Sequence, residues 1–179
     1  MLHLALALLG SLLAMLVYAG CGDDDPASSS EDSLTQISGR AVVTSIGPGE
    51  DQCLEPPPEF LPVWSVAKIT GDLEGCFYSL FESGGCVPGE GGTYTEKGTN
   101  LFVGTYHGKA GTFETPYLYT AKLKDCAAYT GEIYGHCEHT ITVGSGTADF
   151  DGVTGGILME DLIKAGTYSG FTYTGHLQW

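Results

Sequence analysis

A histidine and a glutamate are the side chains of this sequence best suited to acid–base chemistry. His139 alternates with Ile141 along a stretch that has the period of a strand, so it is expected on the apolar, inward face. There it would orient a ligand or move a proton, although a hydrogen-bonded core histidine fits the same pattern. Glu96 lies two residues after the aromatic Tyr94. An inward carboxylate there would have a raised pKa, and an outward one would be an ordinary surface charge.

Two tyrosines are candidates for contact with a ligand. Tyr117 and Tyr119 are two residues apart in a strand-like stretch, so their rings share a face. They would line a cavity or simply pack in the core. The candidate ligand-binding residues are therefore Tyr117, Tyr119 and His139, and the candidate catalytic residues are His139 and Glu96.

Metal and phosphate sites are not indicated by the sequence. His136 and His139 fall on opposite faces of a regular strand and cannot chelate one ion together. The acidic turn at 149–152 lacks the remaining ligands of a calcium loop. The glycine-rich passage at 144–156 lacks the Lys-Ser/Thr end of a phosphate loop and is expected to form a tight turn between strands. We therefore predict no metal and no cofactor.

The cysteines of the domain are expected to form disulfides, because an exported domain meets an oxidising compartment. Local pairing would join Cys76 with Cys86 and Cys126 with Cys137, each enclosing a short strand–turn segment. Cys53, in a proline-rich loop, would then remain unpaired. No group near any of them would depress a thiol pKa, so a nucleophilic role is not expected.

These residues must be positioned by strands, since two-residue alternation dominates from about residue 35 onward. The proline-rich stretch 47–62 is a loop. The candidate strands are 36–46, 64–70, 75–82, 93–97, 100–107, 111–123, 131–143, 157–163 and 167–179. An all-β fold follows, either an eight-stranded antiparallel barrel or a β-sandwich. Such a barrel has room for its own side chains or for one small ligand.

The face of one strand can be predicted in detail. Along 131–143, alternation places the odd-numbered residues inward, among them Ile133, Cys137 and His139. The even-numbered residues, among them Glu132 and His136, would face water.

Several segments resemble one family of barrels. They are Phe-Val-Gly-Thr-Tyr at 102–106, Gly-Thr-Phe at 111–113, Gly-His-Cys-Glu-His at 135–139, Gly-Ser-Gly-Thr-Ala-Asp-Phe-Asp-Gly-Val-Thr-Gly at 144–155, and Gly-His-Leu at 175–177. The chain thus resembles uncharacterised bacterial proteins of the allene oxide cyclase-like group, to which plant dirigent proteins are related. The resemblance implies an eight-stranded antiparallel barrel, often oligomeric, with a cavity for an apolar small molecule. It does not carry over a catalytic set of residues.

The N-terminal segment is typical of an export signal followed by a tether. Residues 1–20 are almost wholly apolar, and the small residues before Cys21 resemble the lipobox of bacterial lipoproteins. Cys21 would then be the lipid anchor, and the acidic, serine-rich stretch 21–33 a disordered tether. We expect a bacterial cell-envelope protein, in the outer membrane if one is present; an ordinary secretory signal and a secreted protein are the alternative.

The charge excludes one class of partner. With 22 acidic and 7 basic residues the formal net charge is -15, which is unsuited to nucleic acid. We expect a lipid-anchored barrel, at residues 34–179, that binds a small apolar ligand, and the family resemblance adds a homo-oligomer as an expected assembly. The alternatives are a cyclase or isomerase acting on such a molecule, and a structural envelope protein whose barrel is filled by its own side chains.

Overall fold

The computed structural model describes residues 34–90, 92–164 and 167–179. The expected export signal (1–20), the tether (21–33) and the anchor Cys21 lie outside the described residues. Within the described part, no helix has the length and hydropathy needed to cross a membrane.

The described chain is built from nine strands and one short 3-10 helix, Pro58–Phe60, in the proline-rich loop. The strands are β1 (Thr35–Val43), β2 (Ser65–Gly71), β3 (Leu73–Cys86), β4 (Thr93–Tyr106), β5 (Lys109–Asp125), β6 (Thr130–Thr140), β7 (Thr147–Ala148), β8 (Thr154–Lys164) and β9 (Thr167–Gln178). Short glycine-containing turns join most of them, as the alternation and the spacing of the glycines predict.

Eight of these strands close into a barrel. Antiparallel neighbours follow the order β4-β3-β2-β1-β9-β8-β6-β5, and β5 also pairs with β4, which closes the sheet. The two-residue β7 pairs with β5 outside this ring. The predicted eight-stranded antiparallel barrel is confirmed, and the sandwich alternative is wrong because the sheet has no separate second layer.

Two strands run through glycines at which the sequence predicts an end or a break. β3 continues through Gly84 and Gly85, and β4 continues through Gly98, with the ladder between them unbroken except for one bulge near Phe81. The presence of a glycine at position 98 has its explanation inside the barrel, where the ring of Tyr117 on β5 lies against Gly98. Gly98 leaves space for this ring, so this glycine marks a close approach within a strand rather than a turn.

Aromatic rings fill the barrel on the side of the β4–β5 hairpin. Phe102 and Phe113 stack with their centroids 4.8 Å apart, and Phe77 and Phe150 pack edge-on against this pair. All four are buried. Trp179, just after β9, stacks on Phe150 at 6.4 Å. This half of the barrel is therefore a packed core, and free space is found in the other half.

The expected local disulfides are wrong. Cys76 and Cys86 lie on one continuous strand, which at about 3.3 Å per residue holds them about 30 Å apart. Cys126 follows the end of β5, whereas Cys137 lies within β6, away from the turn. Neither pair meets the distance that a disulfide requires.

The disulfides instead join segments that the barrel brings together. Cys53, from the proline-rich loop, bonds to Cys76 on β3, and Cys86 at the end of β3 bonds to Cys126 after β5. Cys137 is a free, buried thiol. Cys53, predicted to be unpaired, is therefore bonded, and Cys137, predicted to be bonded, is not.

Candidate functional site

A cavity of about 360 Å³ occupies the half of the barrel away from the phenylalanine cluster. Aromatic and aliphatic side chains form most of its wall, from Phe77 inside the barrel to Phe171 on β9. Trp64 and Tyr129 also line it and are exposed, so the cavity reaches solvent at the end that carries the β5–β6 turn. The four predicted site residues, Glu96, Tyr117, Tyr119 and His139, all lie on this wall.

His139 is a neutral hydrogen-bonding group within the wall. Its side chain is 4% exposed, and its ring stacks on Phe77 with centroids 5.4 Å apart. Nδ1 lies 3.1 Å from the Thr115 hydroxyl oxygen, whereas Nε2 has no partner among the described residues. Burial lowers the pKa of His139 to about 4, because desolvation disfavours the imidazolium. At neutral pH it therefore offers a hydrogen bond and no charge.

Glu96 is held by two tyrosines. The Tyr117 hydroxyl donates to Oε1 at 2.8 Å, and the Tyr94 hydroxyl donates to Oε2 at 3.0 Å. Burial and the hydrogen bond to Glu96 raise the pKa of Tyr94 to about 12 and that of Tyr117 further. Both phenols therefore remain protonated donors, and they fix the carboxylate in the cavity wall.

Glu132 and Asp161 form a second acidic group, which the sequence did not predict. The Tyr119 hydroxyl oxygen lies 2.9 Å from Glu132 Oε1 and 2.9 Å from Asp161 Oδ2. A hydroxyl has one hydrogen and donates to one carboxylate at a time, so the second contact is satisfied when that carboxyl is protonated. Burial, together with the Glu132 carboxyl, raises the pKa of Asp161 to about 8. Glu132 and Asp161 thus form an acid pair that holds a proton near neutral pH.

A bulge explains why Glu132 was assigned to the wrong face. Lys122 on β5 pairs with Tyr134, but Leu123 pairs with Glu132, so Ile133 is an extra residue on β6. Because the bulge inverts the alternation, Glu132 turns inward and Ile133 is 52% exposed, the reverse of the prediction for both residues. Strict two-residue alternation cannot show such an insertion.

The signal for Asp161 was present in the sequence. Ile157 and Met159 on β8 are buried, and alternation places Asp161 on the same face. An acid that continues an apolar series is a candidate for an inward carboxyl. Its partner Glu132 could not be recognised, so neither could the pair.

Two further polar residues face the cavity. Asn100 on β4 is 6% exposed, and its Oδ1 has no hydrogen-bond partner among the described residues. The free thiol Cys137 lines the cavity as well, and its pKa is raised by burial first and by the nearby carboxylates second. Cys137 is therefore a neutral thiol and not a nucleophile at neutral pH.

Across residues 34–90, 92–164 and 167–179, no three His, Cys, Asp or Glu side chains come together in a way that could hold a metal ion. His136 is not part of the cavity wall, and its Nε2 lies 3.8 Å from Glu138 Oε1. The two histidines of this strand thus lie apart, as alternation predicts.

The chain matches no protein-family model, no curated protein and no solved structure at a significant level. What the cavity can do must therefore be inferred from its own residues. They provide apolar rings for contact, several buried hydrogen-bonding atoms and carboxyl groups held by tyrosines.

Proposed function

We propose that the barrel binds a small molecule with a largely apolar body. The cavity carries this proposal, because about 360 Å³ falls in the range of known ligand sites, about 300–1,000 Å³. Buried atoms of Asn100 and His139 without a partner are a cost that a ligand would remove. A purely structural barrel is expected to fill such space with side chains, so the cavity favours ligand binding over that alternative.

The test is native mass spectrometry of the protein purified from its own cell, which should show a bound small molecule. In the Ala67→Phe variant a ring would enter the cavity from β2, and the amount of retained ligand should fall by about tenfold or more. The matched control is Ala110→Phe, at an exposed position near the β4–β5 hairpin, which should retain the ligand. Equal retention by both variants, or no ligand in any preparation, would contradict the proposal.

An enzyme is the second candidate function, and one observation favours it. Glu96 and Glu132 line one cavity together with Tyr117 and Tyr119, and Asp161 is joined to Glu132 through the Tyr119 hydroxyl. Such carboxyls would suit proton transfer in an isomerase or cyclase. Incubation of the recovered ligand with the protein should then give an isomer of unchanged mass by NMR, and Glu96→Gln should slow its appearance at least about a hundredfold. A ligand that is recovered unaltered would contradict the enzyme and would leave ligand binding as the only function supported.

We also propose that the domain is tethered to a bacterial envelope membrane through a lipid on Cys21. The lipobox-like residues before Cys21 and the acidic stretch after it support this proposal. Mass spectrometry of the mature N-terminus should show a diacylglyceryl-modified cysteine, and an unmodified Cys21 would contradict it.

A further inference from the structure

We propose that the ligand carries a protonated amine, and that this group binds between Glu96 and the Glu132–Asp161 pair. The inference rests on the proposed ligand-binding function and adds the chemical class of the ligand: an organic ammonium with an apolar body.

The first support is the unbalanced charge of the cavity. Glu96 and Glu132 line it, and Asp161 adjoins Glu132 through the Tyr119 hydroxyl. None of the described residues that line the cavity is a lysine or an arginine. The ion pairs Lys97–Glu82 and His136–Glu138 lie outside the cavity and involve none of these three carboxyls. A cation would supply the counter-charge that the wall lacks.

The second support is a set of buried polar atoms without partners. Asn100 and His139 are more than nine-tenths buried in the cavity wall, and Asn100 Oδ1 and His139 Nε2 have no partner among the described residues. Asp161 Oδ1 is likewise buried and without a partner there. A carboxyl oxygen requires an N–H or O–H donor, and the ammonium would provide one to Asp161 Oδ1. Asn100 is four residues from Glu96 along β4, about 13 Å, so it and His139 would meet other polar atoms of the ligand.

The third support is the aromatic wall between the acids. Tyr117 and Tyr119 follow one another on the inward face of β5, and Tyr129 closes the same side. The faces of such rings attract cations, and the attraction strengthens where water is excluded. Carboxylates divided between two tyrosine-linked groups, with rings between them, suit an organic cation better than a metal ion.

An anionic ligand would meet the opposite field. Its carboxylate would lie beside Glu96 and Glu132 with no basic residue among the described cavity residues to offset the repulsion. A neutral alcohol would avoid this repulsion but would gain no attraction between charges. A cationic, a neutral and an anionic ligand with the same apolar body should therefore differ in affinity, and their order tests the inference.

The experiment is isothermal titration calorimetry of the full chain with 4-phenylbutylamine, 4-phenylbutanol and 4-phenylbutyrate at about pH 7. We expect the amine to bind at least about tenfold more tightly than the alcohol, and the carboxylate to bind more weakly than both. These probes share one apolar body, so their differences report on the charged group alone.

A variant pair on one strand locates the effect. Glu132→Gln should reduce the preference for the amine over the alcohol to about threefold or less, because the acid pair is lost. Glu138→Gln is the matched control on the exposed face of β6 and should retain the full preference. Thermal melts of both variants show that the comparison is made between folded proteins.

Each result decides one of the two proposals. Alcohol or carboxylate binding as tightly as the amine overturns the ammonium inference and leaves ligand binding intact. An amine preference that persists in Glu132→Gln also overturns it. If none of the probes binds, the ammonium inference is wrong; if the native mass spectrum also shows no retained ligand, the proposed function fails with it.

Discussion

At the scale of single residues, the tyrosine hydroxyls determine the state of the acids around them. Tyr117 and Tyr94 both donate to Glu96, so that carboxylate has two donors. Tyr119 stands between Glu132 and Asp161 and cannot donate to both at once. The first arrangement holds the Glu96 carboxyl by two hydrogen bonds, whereas the second leaves one carboxyl without a donor and favours retention of a proton by the Glu132–Asp161 pair. The two acidic groups therefore differ in the number of hydroxyl donors that each carboxyl receives.

The acid pair makes stability depend on pH. The pKa of Asp161 is raised from 3.8 to about 8, so between these values the folded protein holds a proton that the unfolded chain has released. Stability from this group is therefore complete below about pH 4 and is lost as pH rises from there through about 8. The Asp161→Asn variant has no carboxyl to ionise here, so it should not lose this stability as the pH rises. It should therefore melt several degrees above the unmodified protein at about pH 8.5 but not at about pH 4.

Differential scanning calorimetry between about pH 4 and pH 9 measures this effect. The control is Asp151→Asn at an exposed turn position, whose difference from the unmodified protein should not vary with pH in this way. A melting difference for Asp161→Asn that is the same at every pH would show that the pair does not hold a proton in the folded state.

At the scale of the strands, the cavity depends on bulges and on glycines within strands. Bulges occur near Phe81 on β3, at Ile133 on β6, and between Asp161 and Ile163 along the β8–β9 ladder. All three lie toward the cavity end of the barrel, where they turn side chains that strict alternation would direct elsewhere. Sequence alternation predicted the strands but not these insertions, because a bulge changes the pairing without a distinctive residue pattern.

Gly135 on β6 is the glycine on which the acid pair depends. A Cβ at this position would overlap Asp161 Oδ2 and would lie 2.8 Å from the Tyr119 hydroxyl oxygen. Gly135→Ala should therefore displace the Asp161 carboxyl and lower the free energy of unfolding by about 1–3 kcal/mol. It should also abolish the pH dependence assigned to the pair.

Urea denaturation at about pH 5 and about pH 8 checks both effects. Gly85→Ala on β3 is the matched control, because no atom lies within 4 Å of the Cβ it would introduce. This control should change the free energy of unfolding by less than about 0.5 kcal/mol. Equal destabilisation by the two variants would contradict the close contact at Gly135.

At the scale of the whole molecule, the two disulfides tie connecting segments to the barrel. Cys53–Cys76 attaches the proline-rich loop to β3 across a separation of 23 residues. Cys86–Cys126 links the ends of β3 and β5 across 40 residues. The strands themselves are already closed into a ring, so these bonds restrain mainly the unfolded chain and the connecting segments.

Removal of either disulfide should lower stability according to its loop length. The entropy relation predicts about 4 kcal/mol for the Cys86→Ala/Cys126→Ala variant and about 3 kcal/mol for Cys53→Ala/Cys76→Ala. Urea unfolding under non-reducing conditions measures both losses. Cys137→Ala controls for loss of a buried sulfur and should cost less than either pair. If the double variants are destabilised no more than this control, the assigned connectivity is contradicted.

The sequence by itself determined the all-β class and the approximate limits of most strands, because alternation and turn residues are local properties of the chain. The number of strands and the family resemblance favoured the eight-stranded barrel. The sequence also placed His139 on the inward face and singled out Tyr117, Tyr119 and Glu96, all of which line the cavity. Only the tertiary structure decided the disulfide pairs and the meeting of Glu132 with Asp161. Those contacts depend on ring closure and on a bulge at Ile133, and both arise from pairing between strands rather than from local sequence.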